Sequence, residues 1–304
     1  MGAKNDITAY LKSYRYADTY GEEEDGWALL AARQLYEATG DEEYFSLIRK
    51  YYDGFLSENG EIRGSSTADF TADTVNGSRC LFFLYDKTGE EKYRLAIENI
   101  MSGLRGYERC ECGNFVCCKD RPKEVTVDAL YGFMPFYMEY ETKYDKKEKY
   151  GDIIRQFENA QKLLYDEEKG VCCRAYVEEG KTRRMEENGC AFAASARYLA
   201  ALTDTMDCMS VEIYEQYRKL QDMFKQVLKG VLNCRAQENG EGDNALIGYC
   251  ILKACRMGIL LKEKYVDTGM EIVKKMTEME SAETTAASVM AYAQYLLTES
   301  EAEA

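Results

Sequence analysis

Twelve cysteines and not one histidine set the chemistry open to this chain of 304 residues. Without an imidazole there is no Ser-His-Asp or Cys-His nucleophilic pair and no histidine-ligated zinc. Acid–base work therefore falls to carboxylates, tyrosine, lysine or cysteine. Cys110, Cys112, Cys117 and Cys118 make a C-x-C-x4-C-C run, with Cys172-Cys173 further on. Such a run suggests thiolate ligation of a metal, but the spacing matches no standard zinc pattern, and adjacent cysteines seldom both ligate one tetrahedral ion. We expect no metal and no cofactor. Cys80, Cys190, Cys208, Cys234, Cys250 and Cys255 fall inside helical patterns and read as small buried hydrophobes.

Two aspartates stand where apolar helices begin. Asp128 directly precedes Ala129-Leu130-Tyr131-Gly132-Phe133, and Asp73 precedes Thr74-Val75. Taken alone, both read as helix N-caps whose carboxylates accept backbone N–H bonds. Tyr131, one turn from Asp128, is a candidate pocket wall. Trp27, the sole tryptophan, follows the acidic run Glu22-Glu23-Glu24-Asp25 and reads as a packing anchor or a sugar-stacking ring.

The elements that must position these residues are helical. Leu35-Tyr36-Glu37-Ala38-Thr39-Gly40-Asp41-Glu42-Glu43-Tyr44 and Leu84-Tyr85-Asp86-Lys87-Thr88-Gly89-Glu90-Glu91-Lys92-Tyr93 repeat one pattern at an offset of 49 residues. Each is a helix end, a Thr-Gly break and an acidic helix start, the signature of a helical array. Periodicity predicts helices near 4–19, 25–38, 41–56, 73–88, 90–105, 128–142, 147–165, 188–204, 209–232, 243–262, 264–280 and 283–298. Ile213, Tyr217, Leu220, Phe224, Val227 and Val231 form one buried stripe. Segments 57–72, 106–127 and 166–187 read as long irregular loops gathered at one mouth, and no sheet of three or more strands is expected. Six hairpins and no linker predict a single domain over residues 1–304 folded as an (α/α)6 barrel.

A net charge of −15 argues against nucleic acid or an anionic membrane surface as partner. No run approaches eighteen apolar residues, and Met1-Gly2-Ala3-Lys4-Asn5-Asp6 opens into a polar helix, so a cytoplasmic location is expected.

In order along the chain, Asp25-Gly26-Trp27, the Thr-Gly hairpins, Asp73-Thr74-Val75-Asn76-Gly77, Gly113-Asn114-Phe115, Val127-Asp128-Ala129-Leu130-Tyr131-Gly132-Phe133-Met134-Pro135-Phe136 and Glu283-Thr284-Thr285-Ala286-Ala287-Ser288 resemble the unsaturated uronyl and rhamnogalacturonyl hydrolases, glycoside hydrolase families 88 and 105. The resemblance implies an (α/α)6 barrel that removes a 4,5-unsaturated uronic acid from oligosaccharides left by polysaccharide lyases. It implies Asp128 as proton donor and water-activating residue, with Asp73 as its partner and Asp69 as the rival for that second role. Chemistry of this kind needs one carboxyl kept protonated near neutral pH.

The chain departs from the family in its loops. The His-Gly-Trp-Asp-like segment falls on Cys172-Cys173-Arg174-Ala175-Tyr176, and Trp-x-Arg-Gly-Asn-Gly-Trp falls on Arg184-Met185-Glu186-Glu187-Asn188-Gly189-Cys190, which keeps only Asn188 and Gly189. A glutamate, Glu186, thus replaces the arginine expected to help hold the uronate, with Arg174, Arg183 or Arg184 as possible replacements. Family histidine positions fall on Cys117 and Cys173. Trp27, Tyr131, Arg174, Asn188, Cys117 and Cys173 are the expected substrate-binding set. A different, less acidic glycan, or a catalytically silent barrel that binds a sugar or a protein, are the alternatives.

Overall fold

The computed structural model describes residues 7–63, 70–184, 191–237, 245–278 and 284–303. Thirteen helices follow one another among them: α1 Ala9–Ser13, α2 Glu23–Thr39, α3 Glu42–Phe55, α4 Ala72–Asn76, α5 Cys80–Thr88, α6 Glu91–Arg105, α7 Val127–Lys143, α8 Tyr150–Leu164, α9 Ala191–Asp207, α10 Tyr214–Gln237, α11 Ala245–Arg256, α12 Lys262–Glu278 and α13 Ala286–Glu303. The helix expected over 73–88 is two, because the chain turns at residues 77–79. Among the described residues no helix is long and apolar enough to cross a membrane.

Burial alternates along the chain. α7 is buried over nearly its whole surface, and α11 from Leu246 to Cys255. α8 between them in sequence buries one face only, through Tyr150, Ile153, Ile154, Phe157, Ala160 and Leu164, as does α3 through Tyr44, Ile48, Tyr51 and Tyr52. Helices apolar all round need partners on every side, whereas one-faced helices meet water. In α10 the expected stripe is buried from Tyr217 to Val231; Ile213 lies just before the helix and is half-buried.

The 49-residue repeat is reproduced atom by atom. Gly40 and Gly89 end α2 and α5 in the left-handed region, φ 69° and 68°, and their N–H groups donate to Tyr36 O and Tyr85 O, both at 2.8 Å. Thr39 and Thr88 hydroxyls donate back to Leu35 O (2.7 Å) and Leu84 O (2.8 Å), and accept from Asp41 N (3.2 Å) and Glu90 N (3.1 Å). Tyr36 and Tyr85 donate to Glu42 and Glu91 across the break. Both tyrosines are only half-buried, unlike Tyr44 and Tyr93, which are in the core.

Two compact units divide the chain: residues 1–69, 73–102 and 245–304 in one, and residues 70–72 and 103–244 in the other. In the first, α13 packs on α2 and α11, and α11 on α12. The buried side chain of Gln294 donates to Gln34 and accepts from Arg256 at 2.9 Å, which satisfies polar atoms inside an apolar contact. Asp25, also buried, accepts from Tyr14 Oη (2.9 Å) and Ala17 N (3.1 Å) and ties the segment after α1 to the first turn of α2.

In the second unit α7 packs on α9 and α8, and α9 on α10. Its long segments are not wholly irregular. Strands β1 Glu124–Thr126, β4 Ala175–Val177 and β5 Thr182–Arg184 form an antiparallel sheet, and β2 Tyr165–Asp166 pairs with β3 Val171–Cys172. The expectation of no three-stranded sheet fails here: strands of two or three residues are too short to show an alternating pattern.

Nothing lies within 4 Å of a Cβ built on Gly40 or Gly89, so their only constraint is positive φ. Gly40→Ala and Gly89→Ala should each cost about 1 kcal/mol in urea unfolding, and Gly→Asn less. Burial pushes the Asp25 carboxyl above its ordinary value, against the Tyr14 and Ala17 hydrogen bonds that pull it down. The folded state thus takes up this proton more readily than the unfolded chain. The Asp25 contribution grows as pH falls through the raised folded value, is complete below the ordinary 3.8, and is lost on the way up. Thermal melts from pH 7 to 4 should show wild type gaining on Asp25→Asn as acid is added.

Candidate active site

Thr126, the last residue of β1, caps α7: its hydroxyl accepts from Ala129 N at 3.0 Å. Asp128 is therefore not the cap expected from sequence but the second residue of the helix, in the turn where partial positive charge favours an anion. Asp73 has the same placement in α4, after Thr71-Ala72, and is likewise inside its helix. Asp128 belongs to the second unit and Asp73 to the first.

Two guanidinium groups meet the Asp128 carboxylate, which is 13% exposed. Arg197 Nη1 pairs with Oδ1, and Arg174 Nε lies 3.5 Å from Oδ2. Arg174 reaches it from a locked backbone. Its N–H donates to Arg184 O (3.0 Å) and its carbonyl accepts from Val127 N (3.1 Å), so it continues the sheet onto the start of α7. The segment is held from below by Ser195 of α9, whose hydroxyl accepts from Cys172 N at 2.8 Å, and by Cys173 N donating to Leu164 O at 2.8 Å. The same helix thus carries Ser195 and Arg197, two residues apart.

Of the three arginines offered to replace the family residue, only Arg174 pairs with Asp128. Arg183 donates to the last carbonyls of α8, Leu163 O at 2.8 Å and Lys162 O. Arg184 pairs with Glu124, a buried carboxylate whose second oxygen has no hydrogen-bond partner.

The remaining sequence candidates are distributed differently. Trp27 (7% exposed) and Tyr131 (3%) are core residues, so neither offers an open ring face. Cys117 is buried and its carbonyl accepts from Ala72 N at 3.2 Å; Cys173 is buried with its thiol on Ala175 O at 3.5 Å. Burial pushes the Cys172 and Cys173 thiols up, which makes them poor nucleophiles. Asp69, Glu186, Asn188 and Cys190 lie outside the described residues. Sequence reasoning missed Arg197. Its signal was there: Arg197 is the only charge between Ala191 and Thr203, a run otherwise small, apolar or hydroxylic.

The C-x-C loop closes on itself. Cys110 N donates to Asn114 O (2.8 Å), and the Glu178 carboxylate accepts from Glu111 N and Cys112 N, both at 3.0 Å. The Cys110 thiol donates to Glu124 O at 3.3 Å. Among the described residues no three cysteine or acidic groups come together to hold a metal. Cys208 and Cys234, expected in the core, are half-buried, with thiols on Glu139 and Lys169 O.

The sequence model of glycosyl hydrolase family 88 matches residues 11–241, well over half of the chain. The chain belongs to this family. It is a glycoside hydrolase, and three solved structures share its fold. A family 105 glycoside hydrolase from C. acetobutylicum ATCC 824 is 22% identical over 98% of both chains, with a TM-score of 0.81. An unsaturated glucuronyl hydrolase specific for heparin is 12% identical over 98% of this chain and 94% of its own, TM-score 0.74. A family 88 hydrolase from Bacteroides vulgatus is 12% identical over 97% and 96%, TM-score 0.72. The fold class is accordingly all-α, the (α/α)6 barrel, as the hairpin repeat predicted.

The neighbouring Cys112 side chain, then burial, raises the Cys110 thiol, and the Cys110 side chain lowers Cys112. Cys112 is also the more exposed of the two. With limiting iodoacetamide near pH 8, mass spectrometry should find Cys112 alkylated well before Cys110, Cys172 and Cys173.

Proposed function

We propose that this glycoside hydrolase removes a 4,5-unsaturated uronic acid from oligosaccharides produced by polysaccharide lyases acting on pectin- or rhamnogalacturonan-type glycans. Asp128 delivers a proton to C4 of the C4=C5 double bond, and water adds at C5 as Asp128 takes a proton from it. The product is a hemiketal at C5, which opens and releases the shortened oligosaccharide. Asp73 is the second carboxylate of the reaction. Arg174 is the group offered to the uronate carboxylate.

The observation that carries this reading is the pair of arginines on Asp128. A guanidinium matches a carboxylate in two-pronged geometry, and the Arg174 side chain, 44% exposed beside Asp128, is one that an anionic sugar can meet from solvent. Family membership supports the reaction class. The cytoplasm is the compartment we assign, since the described cysteines are free thiols. Glu186, in the arginine position of the family signature, favours the second reading, a less acidic glycan on the same barrel.

Unsaturated glucuronyl and galacturonyl disaccharides decide between them. Turnover should appear as loss of the ultraviolet absorbance of the conjugated double bond. Asp128→Asn should lower it by about 10²–10⁴-fold with an unchanged circular dichroism spectrum, because Thr126, not Asp128, caps the helix. Turnover of neutral oligosaccharides alone would establish the second reading instead.

A further inference from the structure

The two arginines on Asp128 are not equivalent. Arg197 stands in the middle of α9, a helix packed along α7; its side chain is 30% exposed and its pair with Oδ1 is the tighter one. Arg174 stands in the loop before β4, its backbone fixed on both sides by hydrogen bonds, its side chain 44% exposed, and its Nε at 3.5 Å from Oδ2. One guanidinium is placed to hold the carboxylate still. The other is placed to be shared with something arriving from solvent.

We infer that Arg197 is the positioning residue of the reaction, fixing the Asp128 carboxylate from α9, while Arg174 exchanges its ion pair with Asp128 for one with the substrate anion. This rests on the function proposed above and assigns Arg197 a role no sequence signature indicates. The physical reason is rotamer freedom: an aspartate in the first turn of a helix has no backbone donor to fix both oxygens once Thr126 takes the capping bond. A proton delivered to a carbon needs its donor held within a few tenths of an ångström.

The full-length protein, with Arg197→Ala, Arg197→Lys and Arg174→Gln, tests this on unsaturated uronyl disaccharides. Arg197→Ala should lose about 10²-fold in kcat with KM near wild type, and free guanidinium ion at millimolar concentration should restore part of the loss. Arg197→Lys should retain more activity than the alanine variant. Arg174→Gln should raise KM about tenfold with the smaller effect on kcat. Wild-type kcat in Arg197→Ala, or a loss that guanidinium does not touch, overturns the inference. A wild type silent on these substrates sinks the proposed function instead. The Arg197–Asp128 pairing is then decided by thermal unfolding of Arg197→Ala, Asp128→Asn and the double variant: non-additive losses sustain the inference and additive ones end it.

Discussion

A carboxylate carried on the first turn of a helix buried on nearly every side has to obtain its counter-charges from other elements. Asp128 is in that position, and much of the second unit is arranged around the requirement. The three-stranded sheet exists to bring Arg174 to the end of β1; α9 supplies Arg197 and, through Ser195, the anchor for the strand that leads to Arg174. Removing either arginine leaves a partly buried charge short of a partner, and the cost of an uncompensated charge exceeds what the pair itself contributes.

The histidine-free chemistry follows the same division. Cys173, one of the two cysteines on expected family histidine positions, is a buried thiol pushed by desolvation toward the neutral form. At the start of α7 the carboxylates of Asp128 and Glu124 are each tied to an arginine. Charge recognition has been concentrated in guanidinium groups, which stay charged at any pH the protein meets.

The hairpin junctions were legible because they are local: Thr, Gly and an acid within four residues fix the cap, the turn and the next helix without help from elsewhere. The cap of α7 was read two residues late, since Thr126 and Asp128 are both good capping types and only the backbone geometry separates them. The sheet escaped notice because three-residue strands have no period to detect. Trp27, read as a packing anchor or a sugar-stacking ring, and Tyr131, read as a pocket wall, are both buried. Arg197 escaped because its partner lies 69 residues away, and pairing at that distance is set by how α7 meets α9.

The pairing of α2 with α13 has a consequence for how the protein is made. Gln34 and Gln294 stand 260 residues apart and hydrogen-bond in the interior of the first unit, whose segments come from both ends of the sequence. That interior cannot close until α13 has left the ribosome. The second unit, nearly continuous in sequence from residue 103 to 244, has all its strands and the Asp128, Arg174 and Arg197 triad in hand long before then. During synthesis the apolar face of α2 that packs on α13 is therefore the one left waiting, and it marks where a nascent chain most needs protection from aggregation.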